Sequence, residues 1–225
     1  MKRPITTLFM LISLDGKIST GDVDQRDFDK DLTTIIGVKE WLYQYYKLEQ
    51  KTDLRSLNSS KVMKKIGMNK LSEKEIQKTP VNFVLIDNWE LTKRGIKNMS
   101  KKANNLYIAT TIKNTKFQEK NVVYDCYEKK INLENYLEKI YSYGCKKLTI
   151  QTGASLNEQL LRKNLIDYIS IVVAPCLVGW KETPSLIGWK SLRTIQDIIN
   201  IKSLDLLECK KLKNSYLHIT YKVKN

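Results

Sequence analysis

Residues 147–179, KLTIQTGASLNEQLLRKNLIDYISIVVAPCLVG, constrain the fold of this chain more than any other stretch. Leu148-Thr149-Ile150 is an apolar run, and Gly153 turns the chain after it. From Ser155 the pattern reads as a helix, with Ser155 and Glu158 at the Ser-x-x-Glu spacing of a capping box. Leu156, Leu160 and Leu161 then supply one apolar face. Residues 166–174 return as a strand with no polar face, so they are expected to be buried on both sides, and Pro175 stops them. A strand, a glycine turn, a helix and a buried strand make a βαβ unit. Its turn lies where a helix N-terminus can hold an anion such as a pyrophosphate. The same pattern also describes a plain βαβ packing unit.

The rest of the chain repeats this alternation. Residues 5–14 (ITTLFMLISL) read as a buried strand ending in a polar turn, Ser13 to Lys17, punctuated by Gly16. Residues 20–31 carry Asp22, Asp24, Asp27, Asp29 and Asp31 but lack the Gly and terminal Glu of a calcium loop, so a solvated loop is expected. A helix over 38–51 places Trp41, Leu42, Tyr45 and Leu48 on one face. A short strand over 52–57 leads to a helix over 61–66, capped by Asn58 and Ser59 or Ser60. The polar stretch 70–79 reads as a loop or a short surface helix. Strands follow at 81–86, 106–110 and 122–126, with a helix at 91–101 between the first two. The clearest helix is capped by Asn132, aligns Leu133, Tyr136, Leu137, Ile140 and Tyr141, and stops at Gly144. Residues 179–190, with Trp180, Pro184 and Trp189, read as loop. Residues 202–223 read as two strands around Lys213-Asn214, a hairpin.

Such alternation implies an α/β fold: a mixed, mostly parallel central sheet, helices on both faces and a C-terminal antiparallel hairpin. The chain has 225 residues, 42% of them hydrophobic, and no Gly/Ser/Pro-rich linker, so one domain over 1–225 is expected. In sheets of this kind a ligand lies outside the carboxyl ends of the strands. The polar strand ends Ser13 to Lys17, Asp87-Asn88, Thr110-Thr111 and Gln151 to Ser155 are therefore expected to cluster.

Several chemistries find no support. A single histidine, His218, on an alternating strand face expected to be solvated, supports neither a histidine zinc site nor a Ser-His-Asp triad. No P-loop or Rossmann fingerprint occurs. Cys126, Cys145, Cys176 and Cys209 have no C-x-x-C spacing and are expected to be small reduced hydrophobes, as in the cytoplasm. No apolar run is long enough for a membrane span, and the N-terminus is no signal peptide. The net charge of +15, from 39 Lys and Arg against 24 Asp and Glu, admits nucleic-acid binding or a Lys-rich solvated surface with a site for a polyanionic small molecule. The lysines are scattered in pairs and no nucleic-acid-binding signature accompanies them, which favours the second reading.

Arg3-Pro4, Leu14-Asp15-Gly16-Lys17-Ile18, the string from Gly153 through Leu161, Asp167, Ala174-Pro175 and Gly179 together resemble the riboflavin-biosynthesis reductases. These form the reductase half of the bifunctional deaminase–reductase, within the dihydrofolate-reductase-like fold. The resemblance runs nearly the length of the chain, and no zinc deaminase signature precedes it. It implies hydride transfer from NADPH to the ribosyl C1 of 5-amino-6-(5-phosphoribosylamino)uracil, and a cytoplasmic homodimer whose interface the apolar C-terminal strands would supply.

Residue by residue, the resemblance implies that Lys17, with Asp15 and Gln151, faces the reacting sugar. It implies that Ser13 lies beside the nicotinamide and that Gly153, Ala154, Ser155, Leu156 and Asn157 carry the cofactor pyrophosphate. Asn88 and Thr110 match positions near the adenosine 2′-phosphate. Two departures bear on the substrate. The family's Glu-Gly-Gly is Gln151-Thr152-Gly153 here, and its acidic, Pro-ended middle turn with a following Arg is replaced by Ser59 to Gly67, rich in lysine. The same fold acting on another pterin or pyrimidine is the nearest alternative. A non-catalytic nucleotide or nucleic-acid binding protein is the more distant one.

Overall fold

A computed structural model describes residues 2–112, 119–188 and 193–224; Trp189 and Lys190 of the expected loop lie outside them. In chain order the elements are β1 (Ile5–Ser13), α1 (Phe28–Leu32), α2 (Tyr43–Glu49), β2 (Arg55–Ser59), α3 (Ser60–Lys65), β3 (Asn82–Asp87), α4 (Lys93–Lys102) and β4 (Leu106–Thr110). Then come β5 (Val122–Cys126), α5 (Leu133–Ser142), β6 (Lys147–Ile150), α6 (Ala154–Arg162), β7 (Tyr168–Ala174), β8 (Leu204–Lys211) and β9 (Leu217–Val223). The chain divides into two compact units, Met1–Ile5 with Asp53–Thr152 and Thr6–Thr52 with Gly153–Asn225. Among the described residues no helix is long and apolar enough to cross a membrane.

The first unit carries a parallel sheet in the order β5-β4-β3-β2-β6. Strands β3, β4 and β6 read as apolar runs because both of their faces are covered. On one face Phe83, Leu85, Leu106 and Ile108 pack against Met63 of α3 and Met99 of α4. On the other lies α5: Lys139 reaches the buried Asp125 at 2.8 Å, and Tyr143, just past the helix, stacks on Tyr107 with ring centroids 5.2 Å apart. The caps are those polar residues that leave the backbone extended before each helix. Ser59 Oγ accepts from Val62 N at 3.3 Å, Thr92 Oγ1 from Gly95 N at 3.1 Å, and Asn132 Oδ1 from Asn135 N at 3.0 Å. Gly144, with φ +87°, ends α5 in the left-handed conformation that glycine takes without penalty.

The second unit orders its strands β1-β7-β9-β8, with β1 and β7 parallel and the C-terminal pair antiparallel. Its core gathers Phe9 and Leu11 of β1, Val172 and Ala174 of β7, Tyr216, and Phe28, Leu32, Val38, Leu42 and Tyr45 from the 28–49 segment. Phe9 and Tyr45 stack with centroids 5.4 Å apart and planes 7° apart. Thr6 and Asp167 tie β1 to the start of β7: Thr6 N donates to Asp167 Oδ2 at 2.8 Å.

Three expectations are corrected here. The acidic stretch 20–31 is not a plain solvated loop: it runs into α1, whose Phe28 and Leu32, an i,i+4 pair, are buried. Burying each contributes about 1.5–3 kcal/mol, which outweighs the polarity of the flanking aspartates. His218 is half-buried rather than fully solvated: its Nε2 is 2.8 Å from Ser170 Oγ of the neighbouring strand β7. Only Cys145 of the four cysteines is fully buried; Cys126 and Cys209 are exposed.

Candidate functional site

In the second unit the polar end of β1 is built around one carboxylate. Ser13, fully buried, donates from Oγ to Asp15 Oδ1 at 2.5 Å and accepts from Lys17 N at 2.9 Å. Asp15 then reaches across the chain, accepting from Val178 N at 3.1 Å and Gly179 N at 2.7 Å. Gly16 and Gly179 take φ +76° and +73°, conformations that keep both turns tight. Burial alone would push the Asp15 carboxyl up, but the Ser13 hydroxyl and the two N–H groups stabilise the anion and hold it at about 2. Lys17 Nζ donates to the carbonyls of Trp180 at 3.1 Å and Thr183 at 2.9 Å, which engages two of its three N–H bonds.

The segment that Asp15 and Lys17 hold continues to the start of α6. Ile18 N donates to Pro184 O at 3.0 Å and Leu186 N to Gly16 O at 3.0 Å. Gly188 N donates to Ala154 O at 3.1 Å, and Asn157 Nδ2 to Leu186 O at 2.8 Å. The turn at 13–17 and the helix start at 153–157 are therefore joined by one strap, residues 184–188. Gly153 is the N-cap of α6 with φ −82° and no side-chain capping bond, and a Cβ there would meet nothing within 4 Å. Its backbone does not require glycine; what the missing side chain leaves is open approach to the first N–H groups of the helix. The Ser155–Glu158 capping box is not formed. The helix begins at Ala154, so Ser155 sits inside its first turn, and Glu158 instead accepts from Arg162 Nε at 2.8 Å. Leu156 and Asn157 are buried and hold the helix in place.

In the first unit, Gln151 follows β6 and its Oε1 accepts from Ser56 Oγ at 2.9 Å, while Asn58 Nδ2 donates to the same serine at 2.8 Å. Asp87 and Thr110 are paired on adjacent strands, β3 and β4. Burial pushes the Asp87 carboxyl up, opposed by the Ser60 hydroxyl and the N–H groups of Leu91, Trp89 and Glu90; its Oδ1 has no partner among the described residues. Asn88 N donates to Ser60 Oγ at 3.1 Å. Thr110 is buried, and its hydroxyl accepts from Ile112 N at 3.2 Å. The sequence reading took Asn58 and Ser60 only as candidate caps of a helix that Ser59 in fact caps, and it missed Ser56 and Trp89, the latter 69% exposed with φ +68°. A bulky aromatic in the polar turn Asp-Asn-Trp-Glu was the available signal for Trp89. Among the described residues no group of three or more His, Cys, Asp or Glu side chains is placed to hold a metal ion.

Comparison with known proteins places these features in a family. The model of the RibD C-terminal domain matches residues 4–218. A curated relative from Aquifex aeolicus, a 2,5-diamino-6-ribosylamino-4(3H)-pyrimidinone 5′-phosphate reductase, is 22% identical over 72 residues, 32% of either chain. The matched stretch thus spans about a third of that relative. Among solved structures, a Thermotoga maritima diaminohydroxyphosphoribosylaminopyrimidine deaminase/5-amino-6-(5-phosphoribosylamino)uracil reductase aligns with a TM-score of 0.68 at 14% identity, covering 99% of this chain and 57% of its own. The Saccharomyces riboflavin biosynthesis reductase aligns with a TM-score of 0.59 at 14% identity, covering 99% of this chain and 90% of its own.

Proposed function

The chain belongs to the RibD C-terminal domain family, and on that premise we propose that it is an NADPH-dependent reductase of the riboflavin pathway. Its substrate in this reading is 5-amino-6-(5-phosphoribosylamino)uracil, reduced at the ribosyl C1 to the ribitylamino product. The observation that carries the reading is the strap: Asp15 and Lys17 bind the 178–183 segment, which runs on to an uncapped helix start at Gly153. An open, glycine-edged helix N-terminus fits a pyrophosphate.

In the second unit, Gly153, Ala154 and Ser155 would hold the cofactor pyrophosphate, with Leu156 and Asn157 fixing the helix behind them and Ser13 closing the β1 turn beside the nicotinamide. In the first unit, Asn88 and Thr110 would serve the adenosine end. The bound nicotinamide supplies the hydride. Lys17, with two N–H bonds engaged by carbonyls, directs its remaining donor and its charge at the sugar hydroxyls or phosphate; Asp15 fixes the loop in which that cation sits. Gln151, oriented by Ser56, offers an amide rather than a carboxylate to the substrate.

A same-fold reductase of another pterin or pyrimidine is the second reading, favoured by Gln151 and by Ser59 to Gly67, where Ser59 caps α3 and Lys64 pairs with Glu90 at 2.6 Å. The chain is further proposed to act as a single reductase domain, in the cytoplasm, as a homodimer. Exposed Leu206 and Leu207 on β8, with Ile195, Ile198 and Ile199 before it, support a second copy there.

The test is a titration with NADPH followed by nucleotide fluorescence, with turnover measured on candidate pyrimidines and pterins. Lys17→Ala is expected to cut turnover at least tenfold, on the order of the loss of one charge-assisted contact, while the NADPH Kd stays within a few-fold. Collapse of NADPH binding in that variant would remove Lys17 from the substrate role.

A further inference from the structure

The turn after β3 displays one side chain in a way its own packing does not explain. Trp89 has φ +68°, the left-handed region that a bulky residue enters only at a conformational cost, and its side chain is 69% exposed. It is absent from the hydrophobic cluster that α3, α4, β3 and β4 form beneath it. Glycine at this position would relieve the backbone, and a polar side chain would be cheaper to hydrate.

The surroundings nevertheless over-determine the conformation. Trp89 Nε1 donates to Thr111 Oγ1 at 3.1 Å, Asn88 N donates to Ser60 Oγ at 3.1 Å, and Glu90 Oε2 accepts from Lys64 Nζ at 2.6 Å. The single polar atom of the indole is thus satisfied and its ring direction fixed. What remains presented to solvent is a rigid, flat, apolar face at the carboxyl ends of β3 and β4, the end of a parallel sheet where ligands bind.

We propose that Trp89 is a stacking platform for the purine base of the nicotinamide dinucleotide cofactor. A rigid aromatic face recognises a planar heteroaromatic ring, and Asn88, beside it in the chain, and Thr110, beside its contact Thr111, are the residues assigned above to the adenosine end. The inference rests on that reading of the cofactor and adds the residue that holds the base. Stacking of a base on an aromatic side chain contributes about 1–3 kcal/mol, roughly 5- to 150-fold in affinity.

The experiment compares wild type, Trp89→Gly and Trp89→Phe by calorimetric titration with NADPH, with adenosine 2′,5′-bisphosphate and with nicotinamide mononucleotide, alongside thermal unfolding. In Trp89→Gly, both adenosine-containing ligands should weaken roughly 5- to 150-fold, with nicotinamide mononucleotide unchanged. The unfolding temperature should stay level or rise, because glycine adopts φ +68° freely. Trp89→Phe keeps a ring and should keep most of the affinity. The platform is refuted if Trp89→Gly binds adenosine ligands within twofold of wild type, if it weakens nicotinamide mononucleotide equally, or if it loses fold stability in step with affinity. In each of those cases wild type still binds NADPH and the reductase reading stands. Failure of wild type itself to bind NADPH overturns both.

Discussion

Gly188 is the position where a single methyl group tests the site most directly. A Cβ built there would lie 2.8 Å from Ala154 Cβ, 3.0 Å from Ala154 C and 3.2 Å from Ser155 N. Ordinary carbon–carbon contact is about 3.5–4 Å, so the strap must retreat by roughly 1 Å. Crowding of this kind costs about 1–3 kcal/mol. The retreat also stretches the Gly188 N to Ala154 O bond of 3.1 Å, worth about 1 kcal/mol. The bond from the fully buried Asn157 to Leu186, two residues back, is expected to survive. Gly188→Ala should therefore lower stability by about 2–4 kcal/mol, a fall of roughly 4–16 °C in unfolding temperature. Gly153→Ala provides the contrast. Its Cβ meets nothing, and the small loss of a preferred cap residue is offset by reduced freedom of the unfolded chain, so stability should move by no more than about 0.5 kcal/mol. The same methyl would narrow the approach to the helix N–H groups and weaken NADPH binding. Urea melts and NADPH titration of the two variants, with Gly188→Ala/Ala154→Gly as a partial rescue, read both effects. Equal stability of Gly188→Ala and wild type would refute the packing of the strap on α6.

Asn132→Ala should cost about 1 kcal/mol in a urea melt, because Asn132 caps α5, whereas Ser155→Ala, which caps nothing, should stay within about 0.5 kcal/mol. Burial lowers the His218 pKa below 6.5, so the folded state keeps a neutral imidazole while the unfolded chain gains a proton as the pH falls below that value. Stability from this group is thus lost on acidification, and the stability gap between wild type and His218→Gln should shift against wild type between pH 7.5 and 5.5, on the order of one pH unit either side of the ordinary value. A gap that is flat across that range in parallel urea melts would contradict the burial effect.

What the sequence made legible follows from how local each signal is. The strands at 106–110 and 122–126 coincide with β4 and β5, because a run of β-branched and aromatic residues between turn signals is fixed by its own composition. Asn132 and Gly144 bracket α5 for the same reason: a cap and a left-handed stop act on their own helix. Phe28 and Leu32 were equally local, but five aspartates obscured an i,i+4 pair that the structure buries. The exposed Cys126 and Cys209 show the limit of composition: strand membership was readable, but which face of an outer strand meets solvent was not.

The candidate site was less legible because its contacts join residues far apart in the chain. The motif Leu14 to Ile18 marked the β1 turn, but nothing local indicates that the Asp15 carboxylate is held by the N–H groups of Val178 and Gly179, some 160 positions on. The capping box at Ser155 failed for a related reason. Ser-x-x-Glu spacing caps a helix only when the serine backbone is extended, and here Gly153 holds the extended position while Arg162 claims Glu158. His218 was only partly legible because its partner lies on another strand: nothing in β9 itself shows that Ser170 of β7 meets its Nε2 at 2.8 Å and leaves the ring half-buried. The residue types a site needs are therefore readable from a sequence before their partners are. Asp15 shows what the partners change: read alone it is one of the residues expected to face the sugar, but with its anion held at about 2 by two N–H groups and a hydroxyl it orders a loop and is no proton donor at neutral pH.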